Sequence, residues 1–199
     1  MMNVPNSLTL FRIALLPVFV IVFYLPFSWV NIAATAIFGL AALTDWLDGY
    51  LARRLKQTSA FGAFLDPVAD KLMVAVALVL LVERHPTAWL AIPAAVIIGR
   101  EIAISSLREW MAEIGQSATV AVASVGKVKT IVQMVALLFL LFREPLLGVF
   151  PTYTVGFTLL YVAALLTLWS MVVYLHGAWP HVSLNGTSGG SDKTGGESP

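Results

Sequence analysis

Four aspartates carry the chemistry this chain can do: Asp45, Asp48, Asp66 and Asp70. They lie in or beside strongly apolar segments, where an ionisable group costs about 2.5–3.5 kcal/mol on insertion scales and needs a compensating partner. Asp45 and Asp48 are three residues apart, Asp66 and Asp70 four apart. On helices each pair shares one face, and a short connection lets two antiparallel helices bring all four together. Carboxylates that close repel one another unless cations sit among them. The sequence has no cysteine, and its three histidines, His85, His176 and His181, are scattered. The donor set is therefore oxygen alone, which selects hard ions such as Mg²⁺ or Mn²⁺. Two such ions about 3.5–4 Å apart form the clamp that holds the attacking and leaving oxygens of a phosphoryl displacement. The competing reading pairs the acids with Arg53, Arg54, Lys56 and Lys71 at an ordinary helix interface. Four acids at helical spacing favour the metal site.

The residues between the acids sharpen this expectation. Gly49, directly after Asp48, removes a side chain where a ligand could approach the backbone. Ala52 and Gly62 are also small, as plain helix packing in membranes would equally require. Arg53 lies one turn beyond Gly49, placed to hold a phosphate by charge-assisted bonds. Written out, the segment is Asp45-x2-Asp48-Gly49-x2-Ala52-Arg53-x8-Gly62-x3-Asp66-x3-Asp70. It resembles the signature of the CDP-alcohol phosphatidyltransferase family at every specified position.

That resemblance implies a six-helix membrane enzyme with a two-metal site facing the cytoplasm, cleaving the pyrophosphate of a CDP-linked donor and releasing CMP. It assigns Asp45, Asp48 and Asp66 to the metals, and gives Asp70 both a metal contact and the role of general base. Gly49, Arg53 and Ser59 fall where the family binds the CDP moiety of CDP-diacylglycerol. Further segments resemble members whose acceptor is glycerol 3-phosphate: Asn6-x2-Thr9-x2-Arg12, Thr44-Asp45-Trp46, Phe61-Gly62-Ala63-Phe64-Leu65-Asp66-Pro67, Arg100-Glu101, Leu107-Arg108-Glu109-Trp110-Met111-Ala112 and Gly126-Lys127-Val128-Lys129-Thr130. The likeness covers roughly residues 3–175. It implies phosphatidylglycerophosphate as the product and a homodimer as the assembly.

Glycerol 3-phosphate is a dianion, so its pocket needs cations near the metals. Glu101, Ser105 and Arg108 fall at i, i+4 and i+7 on the fourth apolar segment, and Lys129 and Gln133 at i and i+4 on the fifth. Arg100, Arg108, Lys127 and Lys129 are thus the candidate phosphate binders. The alternative is that these cations only anchor helix ends to anionic lipid. Within the family the motif also suits cardiolipin, phosphatidylserine or phosphatidylinositol-phosphate synthases. From another class, a divalent-cation transporter would use intramembrane acids. It would place them near mid-membrane and show inverted repeats, whereas here the acids flank a basic connection and no repeat is visible.

The elements that position these residues follow from composition. Of 199 residues 59% are hydrophobic and 12% charged, against about 45–50% and about 25% in soluble domains. So little charge excludes a soluble enzyme, a nucleic-acid binder and a disordered chain. The net charge of +1 gives no field to draw a polyanion. No charged residue falls between Ile13 and Thr44, room for two crossings of about 20 residues each, divided at residues 25–29. The predicted crossings are 8–24, 30 into the polar cluster at 45–56, 61–82, 87–107, 125–142 and 152–175. The fold class is therefore all-α, a polytopic membrane protein of about six helices. Residues 1–184 form one catalytic domain, and the Gly/Ser-rich 185–199 a solvated tail. A cleaved signal peptide is the rival reading of the first segment, which lacks a basic stretch before Arg12 and a small-x-small cleavage site. Arg53, Arg54 and Lys56, and then Arg108, Lys127 and Lys129, flank connections on one side of the membrane. On the other side each basic residue has an acidic neighbour. This asymmetry puts the first side in the cytoplasm of a bacterial inner membrane, with both termini. Trp29, Trp89, Trp110, Trp169 and Trp179 read as interfacial belt residues, and His176 and His181 as headgroup-zone residues.

Overall fold

The computed structural model describes residues 4–55, 60–113, 123–145 and 151–185. Its regular structure is six helices in chain order: α1 (Val4–Phe23), α2 (Val30–Leu55), α3 (Ala60–Arg84), α4 (Ala88–Glu113), α5 (Ala123–Phe142) and α6 (Thr152–Asn185). Among the described residues there is no strand. The apolar runs became helices where the sequence placed them. Two ends differ. Helix α1 begins at Val4, before the expected start, so Asn6, Thr9 and Arg12 ride on one helical face at intervals of three. Helix α6 continues to Asn185 and holds 34 residues, about 51 Å of helix at 1.5 Å per residue. A hydrocarbon core is about 30 Å thick, so α6 projects beyond it. Of the predicted tail, 185–199, Asn185 is the last residue of α6 and the rest lies outside the described residues.

Among the described residues four stretches are long and apolar enough to cross a membrane: Asn6–Phe23, Val30–Leu51, Ala88–Glu113 and Thr152–His176, with mean hydropathy 2.0, 1.5, 1.7 and 2.0. The chain is thus a polytopic membrane protein. The sequence suggested six crossings. Helix α5 contributes a shorter apolar stretch, Val128–Phe142, and α3 carries Asp66, Asp70 and Lys71 in its first half.

Consecutive helices run antiparallel. At one end Arg84 of α3 donates to Asn31 of α2 at 2.8 Å and lies 4.3 Å over the ring of Phe23 at the end of α1. The start of α1, the end of α2 and the start of α3 therefore gather at the opposite end. Phe19, Phe38, Leu78, Ile97, Leu137 and Leu160 are buried among the helices, while Ile21, Ile32, Val79, Ile92, Ile131 and Leu165 are exposed on the outer faces. In lipid, apolar side chains gain little by leaving their surroundings, so close approach holds the helices together. Buried Ala34, Ala41, Ala77, Ala94, Ala136 and Ala163 supply it. One close approach is at Gly156 on α6, where an added Cβ would lie 2.9 Å from Phe139 Cβ and 3.1 Å from the Ala136 carbonyl oxygen of α5.

Candidate active site

Helices α2 and α3 deliver the four aspartates to one place, and α1 supplies what lies between them. The Arg12 side chain is 1% exposed. Its Nη1 donates to Asp70 and lies 3.1 Å from Asp45, and its Nη2 donates to Asp48. One turn earlier on the same face, the Thr9 hydroxyl donates to Asp66. The sequence expectation of convergence from two helices therefore holds. The cations proposed for the packing alternative are engaged elsewhere: Lys71 donates to the Ser105 hydroxyl, and Arg54 to the Tyr50 hydroxyl at 3.2 Å. Lys56, and the side chain of Arg53, lie outside the described residues.

The acids differ in access. Asp48 is buried, whereas the side chains of Asp45 and Asp70 are 40% and 36% exposed. Among the described residues no three His, Asp or Glu side chains are arranged to hold a metal ion. Arg12 occupies the space between the carboxylates instead. The donor chemistry nonetheless fits hard divalent cations. Among the described residues all donors are carboxylate oxygens, and one guanidinium against four carboxylates leaves an excess of negative charge in a low-dielectric site.

Beside this cluster a cavity of about 190 Å³ opens among α2, α3, α4 and α5, lined by Asp45, Asp70, Lys71, Glu101, Thr130 and Gln133 among others. Lys129, buried, forms an ion pair with Glu101 across α4 and α5. Gln133, one turn on, is 4% exposed, and its Oε1 has no hydrogen-bond partner. The Ser105 hydroxyl donates to the Glu101 carbonyl oxygen at 2.6 Å, fixing its position on α4. Arg100 turns towards α6, donating to Ser170 at 2.9 Å and to the Glu101 carboxylate at 3.3 Å. Arg108 is exposed and does not line the cavity. Gly49 is half-buried beside Asp48 on α2. Ser59, and the side chain of Lys127, fall outside the described residues.

Sequence reasoning missed the roles of Arg12, Thr9 and Lys71. The signal for Arg12 was present: it is the only charged residue before Asp45. A lone charge in an apolar helix must find a partner of opposite sign elsewhere. Lys71 had no such signal, because its adjacency to Asp70 reads as simple charge compensation.

With this geometry in hand, the comparisons with known proteins add the family. The model of the CDP-alcohol phosphatidyltransferase family matches residues 2–169. A protein of Pseudomonas fluorescens named CDP-diacylglycerol–glycerol-3-phosphate 3-phosphatidyltransferase is 54% identical over 186 residues, covering 93% of this chain and 94% of that one. Proteins of the same name from Yersinia pestis (strain Pestoides F) and Salmonella paratyphi A are 58% identical over 181 residues and 56% identical over 176. These cover 89% and 88% of this chain, and 96% and 94% of the relatives. A matched motif, four converging aspartates and near full-length likeness agree: this chain belongs to the CDP-alcohol phosphatidyltransferase family.

Proposed function

We propose that this chain transfers the phosphatidyl group of CDP-diacylglycerol to glycerol 3-phosphate, giving phosphatidylglycerophosphate and CMP. The observation that carries this reading is the cavity beside the acid cluster, because Asp70 and Asp45 belong to both. An acceptor in the cavity therefore reaches the carboxylates without displacing α1.

In the proposed reaction Asp70 takes the proton of the acceptor's primary hydroxyl. The oxygen forms a bond to the phosphorus that carries diacylglycerol, the bond from that phosphorus to the bridging oxygen breaks, and CMP leaves. Asp45, Asp48, Asp66 and Asp70 would hold two Mg²⁺ or Mn²⁺ ions, which supply positive charge to the pyrophosphate oxygens as negative charge spreads onto them. Arg12, through its bonds to Asp45, Asp48 and Asp70, keeps the carboxylates oriented. Gly49, Arg53 and Ser59 bind the CDP moiety. Arg100, Arg108, Lys127 and Lys129 set a positive field that draws the acceptor's phosphate, with Lys129 paired to Glu101, which lines the cavity.

Basic residues concentrate around the connections at the acid end, which supports a reading in which that end faces the cytoplasm of a bacterial inner membrane. In this reading the acyl chains stay in the bilayer while the headgroup reacts, and the homodimer that the family resemblance implies is part of the proposal. The deciding experiment incubates purified protein with CDP-diacylglycerol, Mg²⁺ and a panel of glycerol 3-phosphate, serine, inositol phosphate and phosphatidylglycerol. CMP release with glycerol 3-phosphate is the expected result. Release with another acceptor and none with glycerol 3-phosphate overturns the reading.

A further inference from the structure

The cations around the cavity are unequally committed. Lys129 is paired with the Glu101 carboxylate, and Arg100 donates to the same carboxylate and to Ser170. Arg12 is spread over Asp45, Asp48 and Asp70. Lys71 differs. It lines the cavity, and its ammonium donates to a neutral group, the Ser105 hydroxyl, which in turn donates to the Glu101 carbonyl oxygen. A lysine ammonium has three donors, so further donors stay available to a ligand in the cavity.

We infer that Lys71, held by Ser105, makes the direct contact with the acceptor's phosphate. This rests on the proposal that the acceptor is a phosphorylated alcohol bound in this cavity. Lys71 follows Asp70 directly on α3, and both line the same space. A small molecule with a phosphate at one end and a primary hydroxyl a few bonds away spans the two. Its phosphate meets the ammonium while its hydroxyl meets the carboxylate. The cavity, about 190 Å³, is below the roughly 300–1,000 Å³ that takes drug-sized ligands. A three-carbon phosphomonoester suits it; a whole nucleotide does not. Lys71 then distinguishes the phosphorylated acceptor from the bare alcohol, with Lys129 and Arg100 providing the surrounding field.

The test measures CMP release by full-length wild type, Lys71→Met, Lys71→Arg and Ser105→Ala, each purified folded in detergent with Mg²⁺. The KM of each substrate is read, together with competitive inhibition by inorganic phosphate. A charge-assisted contact corresponds to about 10- to 100-fold in affinity. Lys71→Met should raise the KM of glycerol 3-phosphate and the inhibition constant of phosphate by that factor, with the KM of CDP-diacylglycerol within twofold. Lys71→Arg should recover most of the loss, and Ser105→Ala should show a smaller shift in the same two constants. An unchanged acceptor KM, or an equal rise on the donor side, overturns the inference. If Lys71→Met does not fold, a donor-side shift in Ser105→Ala, or no acceptor-side shift in it, does the same. A wild type that ignores glycerol 3-phosphate overturns the acceptor reading instead. The phosphate inhibition constant, measured with whichever alcohol is used, then still decides Lys71.

Discussion

Replacing Arg12 by methionine removes the cation that sits at the centre of the acid cluster among the described residues and keeps much of its volume. The cost can be worked from exposure. Asp48 is the buried partner, with a side chain 5% exposed, and stripping the cation from a buried pair costs about 3–5 kcal/mol. Asp45 and Asp70 are 40% and 36% exposed, so water screens them and each adds about 1 kcal/mol at most. A chain of this size loses about 2–4 °C in Tm per kcal/mol, so the total of about 3–7 kcal/mol should lower Tm by about 6–28 °C. The assay is thermal unfolding of detergent-purified protein, followed by tryptophan fluorescence in chelator and again in excess Mg²⁺. In chelator the variant shows the whole drop. In Mg²⁺ the deficit should shrink, because ions bound by the same carboxylates replace the missing charge. Arg12→Lys should fall between, since lysine restores the charge without the forked donors that reach three acids. A drop under about 3 °C in chelator would refute the account of Arg12 as the charge that holds the acids together. A deficit identical with and without Mg²⁺ would refute the idea that cations and Arg12 share those carboxylates.

Three other outcomes are expected. Asp70→Asn keeps the shape of the side chain but cannot take a proton, so kcat should fall about 10²–10⁴-fold, with a smaller change in donor KM; near-normal turnover would reassign the base. Exhaustive chelation should abolish CMP release and readdition of Mg²⁺ or Mn²⁺ should restore it, since the site offers only carboxylate oxygens; undiminished release in chelator would exclude the metal proposal. Gly156→Ala forces a Cβ to 2.9 Å from Phe139 Cβ and 3.1 Å from the Ala136 carbonyl oxygen, an overpacking of about 1–3 kcal/mol. It should lower Tm by about 2–12 °C while both substrate KM values stay put, because the α5–α6 contact lies away from the cavity.

What could be read in the sequence divides along a physical line. Helix positions were legible because each apolar run is bounded by charge or turn residues, and the starts of α2 and α4 followed directly, whereas α4 runs on to Glu113, beyond the expected end at 107. The end of α6 was not, because His176, Gly177 and Pro180 suggest a stop while α6 continues to Asn185. The convergence of the acids was legible too, since i, i+3 and i, i+4 spacing is a property of one helix and a short connection fixes the neighbour. What neutralises them was not. The nearest cations in sequence are Arg53, Arg54, Lys56 and Lys71, yet the cation among the aspartates is Arg12, brought from α1 by the antiparallel packing of three helices. Sequence proximity ranks partners by chain distance, whereas a low-dielectric interior ranks them by which buried charge would otherwise be left alone. On that second ranking Arg12 belongs to the acids, because no other charge precedes Asp45. Lys71 is then released to face the cavity, and the charge the sequence made the acids' neighbour becomes the one available to a substrate.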